Sequence, residues 1–290
     1  MHGLGGDRIG TWTFHPDSKY PVTTLWPKDF LPKACPTARI LSFGYNSQFV
    51  KFFPFFGNKA AVSTETSITD YSTALFHDLA GVRTSTKTPA DRPIIFVAHS
   101  LGGLVVAHAL SRPHSSDEAA TNLSANTKGI IFMGTPFAGS DKATWGTIGL
   151  NIVKALKMQT KDTDVTDLNE RSAALVTINR EFDEFIKARD RDRKAGPVEI
   201  VCYFEDAPTY VVGAEIGKVV SKDSAARLSA IKALAIADNH VDMCKFPGDF
   251  AHGYVSVSSQ LSAWIADLER RGEDDKDSVR NVSGRNEQQS

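Results

Sequence analysis

The chain has 290 residues, 33 lysines and arginines against 34 aspartates and glutamates, and 41% apolar residues. That length supports one large α/β domain with a sizeable core, while near-neutral charge and no basic block beyond the mixed run "KARDRDRK" leave no electrostatic footprint for a nucleic-acid partner. Cys35, Cys202 and Cys244 lack CxxC spacing, which argues against a disulfide framework or zinc site, and no stretch reaches the roughly 18–20 apolar residues of a membrane span or begins as a signal peptide; a soluble, cytoplasmic protein is expected.

The chain opens "MHGLGGDRIGTW". A His-Gly-Leu-Gly-Gly loop ordinarily follows a buried strand, yet only Met1 precedes it. The apolar run "ARILSFGY" (38–45) reads as the first strand. After it, "FVKFFPFFG" (49–57) groups five phenylalanines, either a substrate-side or membrane-touching patch or core beneath a long loop. Residues 65–82 carry helical spacing. "RPIIFVAHS" (92–100) is a strand of buried type, and a helix over 101–111 follows at once. "KGIIFMG" (128–134) is a third strand. Helical spacing returns over 142–158, where "WGTIGLNIVKALKM" (145–158) is either a covering helix or a lid. The next helix, 167–189, aligns Leu168, Ala174, Leu175, Ile178, Phe182 and Phe185 in one stripe. "PVEIVCYFE" (197–205) is a fourth strand, and a last helix is placed at 256–270. Beyond it, 271–290 is polar and without periodicity, a disordered tail or linker behind a domain of residues 1–270. Strands alternating with helices predict a mostly parallel sheet with helices on both faces.

The chemistry concentrates after the second strand. In "IIFVAHSLGGLVVAHAL" the strand ends on Ala98-His99-Ser100-Leu101-Gly102 and a helix begins immediately, the context in which a serine is exposed on a sharp turn as a nucleophile. The pattern is G-x-S-x-G with Ala98 in place of the first glycine. The bland alternative, Ser100 as a simple N-cap, leaves Gly102 and Gly103 unexplained. A nucleophilic serine needs a base and an orienting acid, and in this arrangement they follow in the order Ser, Asp or Glu, His. "IADNHVDMCKF" supplies His240, with His252 of "FAHGYVSV" as competitor. "PVEIVCYFEDAP" ends on Glu205 and Asp206; Glu205, nearer the strand end, is preferred. An oxyanion needs preorganised backbone donors. Leu101 supplies one, and Leu4, with Gly3, Gly5 and Gly6 allowing its backbone to bend, supplies the second. "GLGG" fits neither a P-loop nor a dinucleotide fingerprint.

"HGLGGDRIGTW", "ILSFGY", "VAHSLGGLVVAHAL", "GIIFMGTPFAGSD", "YFEDAPT" and "ADNHVDMCKF", in that order, resemble the lipase-like serine hydrolases found in fungi as the N-terminal module of nucleotide-binding (NACHT or NB-ARC) receptor-like proteins. Those are similar to mitochondrial and endoplasmic-reticulum serine-active-site proteins of phospholipid remodelling and, more distantly, to inositol deacylases. The resemblance covers most of residues 2–265. It implies an α/β-hydrolase fold with Ser100, Glu205 and His240 at the triad positions, an ester or lipid substrate, peripheral membrane contact, and a downstream nucleotide-binding domain in the full-length protein. It also raises the mitochondrial or endoplasmic-reticulum membrane periphery as an alternative location. Asn239 departs from the aspartate that relatives often carry before the histidine. The strand that should precede "HGLGG" is the larger departure: it belongs in the middle of the sheet, between "ILSFGY" and "IIFVAHS", so the expectation is that the natural protein begins upstream and that residues 1–6 form a loop near Ser100. The expected activity is that of a serine esterase or lipase without metal or organic cofactor; the alternative is a catalytically silent signalling or interaction module.

Overall fold

The computed structural model describes residues 1–47, 68–114, 116–137, 165–211, 214–220, 222 and 232–287. The phenylalanine-rich run 49–57 and the amphipathic segment 145–158 lie outside these residues. Four strands, β3 (Ile94–His99), β4 (Thr127–Met133), β5 (Glu199–Glu205) and β8 (Lys232–Ile236), form a parallel sheet in the order β3-β4-β5-β8. Two small antiparallel pairs sit apart from it: β1 (Thr13–Phe14) with β2 (Thr24–Leu25), and β6 (Thr209–Val211) with β7 (Ala214–Gly217).

The central strands carry apolar runs on both faces, Ile130–Met133 and Ile200–Phe204, because both faces are covered. Alternation along β4 and β5 sends Ile130, Phe132 and Cys202 to one core and Ile131, Met133, Val201 and Tyr203 to the other. The first core is closed by α3 (Ile68–Ser85), α4 (Leu101–Ser111), α5 (Glu118–Asn126) and α6 (Val165–Arg191), which contribute Phe76, Leu104, Leu123 and Phe182. The second is closed by the one-turn helices α1 (Trp26–Asp29) and α2 (Leu31–Ala34) and by α7 (His252–Glu287), through Trp26, Leu31, Val257 and Leu261. Sheet, helical layers and the strand-to-helix turn at Ser100 make this an α/β-hydrolase fold.

Two expectations are corrected. Residues 38–45 do not form a strand. A strand needs a ladder partner, and the outer edge of β3 is met instead by Met1: the Met1 amine donates to the Val97 carbonyl at 2.9 Å and the His99 N–H donates to the Met1 carbonyl at 3.0 Å, a parallel bridge of one residue. Segment 38–45 is held by side-chain contacts and not by a ladder, among them Arg39 to Thr86, Ser42 to the Arg8 carbonyl and Tyr45 to His2, and leaves Ile40 and Leu41 exposed. The polar segment expected to be a disordered tail from 271 continues α7 as far as Glu287. Its packed first half supplies the nucleus, so each further residue adds a helical hydrogen bond without a second nucleation cost, and Asp267 pairs with Arg270 and Arg271 at helical spacing.

Candidate active site

Ser100 lies between the end of β3 and the first residue of α4, at φ 52° and ψ −134°. This is a region that L-residues other than glycine enter only where surrounding structure enforces it. The enforcement is visible. Its N–H donates to the Met133 carbonyl at 2.8 Å, Ala98 before it is fully buried, and the two glycines after it admit neighbours that a side chain would exclude. A Cβ on Gly102 would lie 2.1 Å from the His2 carbonyl oxygen, and one on Gly103 would lie 2.1 Å from Thr135 Oγ1.

His240 follows β8 in a loop organised by its neighbour. The Asn239 side-chain oxygen accepts from the N–H groups of Val241 and Asp242 at 2.9 and 3.1 Å, and its amide donates to Asp242 at 2.8 Å. The departure at Asn239 therefore builds the turn that presents the imidazole. Gly134, at φ +57°, leaves room for that ring: a Cβ there would lie 3.0 Å from His240 Cε1 and Nδ1.

Ser100, His240 and Glu205 are brought together. His240 Nε2 is 3.0 Å from Ser100 Oγ, and His240 Nδ1 is 3.3 Å from Glu205 Oε2. Glu205 is the last residue of β5 and is fully buried. Its other oxygen accepts from the Val220 N–H at 2.5 Å. Burial pushes the Glu205 carboxyl up, but the His240 charge and hydrogen bond together with the Val220 N–H outweigh it and hold the group below the usual carboxylate range. An ionised carboxylate only accepts, so the neutral His240 ring carries its proton on Nδ1 and offers the Nε2 lone pair to the Ser100 hydroxyl. This geometry can draw a proton from Ser100 as its oxygen attacks an electrophilic carbon. Asp206, the alternative acid, turns outward and pairs with Lys218 at 2.7 Å on the surface. His252, the competing base, is exposed at the start of α7.

The glycine loop lies over Ser100. A Cβ on Gly3 would fall 2.6 Å from Ser100 Cβ. The loop is tied down from the far side: Tyr45 N–H donates to His2 Nε2 at 3.2 Å, Tyr45 Oη–H to the His2 carbonyl at 2.9 Å, Gly5 N–H to the Ser47 carbonyl at 2.8 Å and Ser47 Oγ–H to the Gly6 carbonyl at 2.7 Å. Gly6 N–H is taken by the Gly3 carbonyl. Leu4 is buried in the first core, which anchors the middle of the loop. Leu101, the first residue of α4, has an N–H without an intrahelical acceptor. The sequence assigns no part in this site to His2 or Val220, and it marks Asn239 only as a departure just before His240; Val220 acts through its backbone and leaves no side-chain signal. Among the described residues, no group of three or more His, Cys, Asp or Glu is placed to hold a metal ion, and no helix is long and apolar enough to cross a membrane.

Residues 44–175 match the family described as Putative serine esterase (DUF676). The chain is 30% identical over 259 residues to Protein SERAC1 of Homo sapiens and 29% identical over 258 residues to Protein SERAC1 of Danio rerio; each alignment covers 84% of this chain and 35% of the relative. The chain thus spans about a third of the length of the curated relatives it matches. Among solved structures it is similar to a membrane phospholipase A described as a bacterial virulence factor, at 13% identity and TM-score 0.40 over 92% of this chain and 77% of that chain. It is also similar to a fungal esterase from Rhizomucor miehei, at 12% identity and TM-score 0.37 over 74% of this chain and 63% of that chain.

Proposed function

We propose that this chain is a serine hydrolase that cleaves carboxylic esters, lipid esters among them, through an acyl-enzyme. The observation that carries the reading is the continuous line from Ser100 Oγ through His240 to Glu205, at 3.0 and 3.3 Å. In this mechanism His240 Nε2 takes the Ser100 proton as Oγ attacks the ester carbonyl. Glu205 holds the ring in the Nδ1–H tautomer and stabilises the imidazolium that forms. The N–H groups of Leu101 and Leu4 receive the oxyanion. Collapse expels the alcohol with the proton from His240, and water, activated by the same imidazole, releases the acid. The match of residues 44–175 to a serine esterase family supports the reading.

Labelling by a fluorophosphonate probe tests it, because the probe requires an activated serine and not merely the fold. Labelling lost in Ser100→Ala is the expected result; an unlabelled wild-type chain overturns it. The burial of Ser100 and His240, each 2% exposed, favours one rival, a catalytically silent interaction module with a closed site, and the same probe separates the two.

A further inference from the structure

We infer that His99, the residue just before Ser100, is a positioning residue of this site, locking the loop that carries His240 and the glycine loop of residues 2–6 into one register around Ser100. The inference rests on the serine-hydrolase reading. His99 is buried at the end of β3, and its Nε2 lies 2.9 Å from the backbone carbonyl oxygen of His240 itself, 141 positions away in sequence. A carbonyl only accepts, so Nε2 carries the proton and Nδ1 carries none in the neutral ring. Burial above all, then the His240 ring 5.1 Å away, pushes the His99 pKa down to about 3, which keeps this donor neutral wherever the base is working.

The other side of the same residue faces the glycine loop. Its backbone N–H donates to the Met1 carbonyl at 3.0 Å. A Cβ on Gly3 would lie 3.0 Å from the His99 carbonyl oxygen and 3.3 Å from its Nδ1. A buried histidine is often only a satisfied core residue. Here the group it satisfies belongs to the base, and its contacts reach both loops that flank the nucleophile. The N–H groups that follow His240, those of Val241 and Asp242, are directed to Asn239. The turn is thus fixed from within by Asn239 and against the strand-to-helix turn at Ser100 by His99. Without the Nε2–H donor the His240 carbonyl is left unpaired in a buried setting, and the loop relaxes away from Ser100.

The test compares His99→Phe, His99→Gln and His99→Asn in the full chain, with p-nitrophenyl butyrate and a fluorophosphonate as probes. The glutamine amide reaches the position of Nε2 and donates; phenylalanine keeps the ring without the donor; asparagine is polar but too short, and serves if the phenylalanine variant does not fold. Phenylalanine and asparagine are expected to lower kcat and the labelling rate by about 10- to 100-fold, the effect of a misplaced catalytic group, with KM within about twofold. Glutamine is expected to recover most of the loss. A second readout needs no turnover: the low-field Nδ1–H proton signal of His240 is expected to be sharp in the wild type and in His99→Gln, and broadened by solvent exchange in the other two. Undiminished kcat with an intact low-field signal in His99→Phe or His99→Asn overturns the inference, as does a glutamine variant as impaired as the others. If the wild type neither labels nor turns over ester, the hydrolase reading falls instead, and the proton signal alone decides the role of His99.

Discussion

The Val220 backbone N–H donates to Oε1 of Glu205 at 2.5 Å while Oε2 of the same carboxylate faces His240 Nδ1. The two oxygens are thus held in different directions, and the carboxylate cannot rotate without breaking one contact. Its neighbour Asp206 is bound to Lys218 in solvent, where an exposed pair contributes about 0–1 kcal/mol. Glu205→Gln is expected to lower the acylation rate by about 10⁴-fold, the cost of losing an orienting carboxylate and its tautomer, and Asp206→Asn by less than about twofold. Single-turnover kinetics with a p-nitrophenyl ester measure both; the reverse ranking moves the acid to Asp206.

Ser100 carries backbone strain. A non-glycine residue at φ 52° and ψ −134° costs about 1–3 kcal/mol, offset in a glycine variant by about 0.5–1 kcal/mol of extra unfolded-chain entropy. Ser100→Gly is therefore expected to raise Tm by about 2–4 °C while abolishing probe labelling. Ser100→Ala keeps the strain, loses labelling, and moves Tm by no more than about 2 °C. A drop in Tm for the glycine variant would show that the turn is not strained.

Strands β3, β4 and β5 and helix α4 were legible because their residues answer to local rules: continuous apolar runs for buried parallel strands, then a glycine-rich turn into a helix. The juxtaposition of Ser100 and His240 was legible for the same reason, through a motif and a chain order. What stayed hidden depends on partners. Segment 38–45 has the composition of a strand but no ladder to join. Strand β8, "KALAI", is half-exposed at the sheet edge and too weakly apolar to announce itself. Val220 acts on Glu205 through its backbone N–H, which every residue type except proline supplies. His99 reads as a variable position of the elbow until its partner, the carbonyl of His240, is seen.

Among the groups whose pKa is lowered in the folded chain, Glu205 and His99 at the site both make stability fall on acidification. The Glu205 carboxyl is held below its ordinary value, so it contributes stability that is full above the unfolded pKa near 4.5 and is lost as pH falls through the lowered value. His99 has a folded pKa of about 3 against 6.5 in the unfolded chain. Between those values the unfolded chain binds a proton that the folded chain does not, so stability falls on acidification, by up to about 1.4 kcal/mol per pH unit. Urea melts at pH 7.5, 6, 5 and 4 are expected to show a shallow loss from the buried Met1 amine, lowered from 8.0 to about 5, that steepens below pH 6.5 as His99 joins it and again below 4.5. His99→Gln is expected to flatten the upper part of that limb. A limb of unchanged slope in the glutamine variant would mean that His99 is not buried neutral.

The glycine loop gives the last prediction. It approaches the elbow so closely that Gly102 has no space for a Cβ: the His2 carbonyl oxygen would lie 2.1 Å away, and as backbone it can yield only if residues 2–4 shift. Gly102→Ala is expected to cost about 1–3 kcal/mol of stability, as overpacking does elsewhere. The larger effect falls on function. If Leu4 N–H is an oxyanion donor, moving residues 2–4 removes it, and loss of one such donor costs about 10²–10³ in kcat with little change in KM, since the donor acts on charge that develops only in the transition state. Gly81→Ala on α3 is the control. A Cβ there meets nothing within 4 Å, so the helix gains about 0.5–1 kcal/mol and the labelling rate stays that of the wild type. A folded Gly102→Ala protein that acylates at the wild-type rate would take the second oxyanion donor away from residues 2–6 and leave Leu101 N–H to find its partner elsewhere in the site.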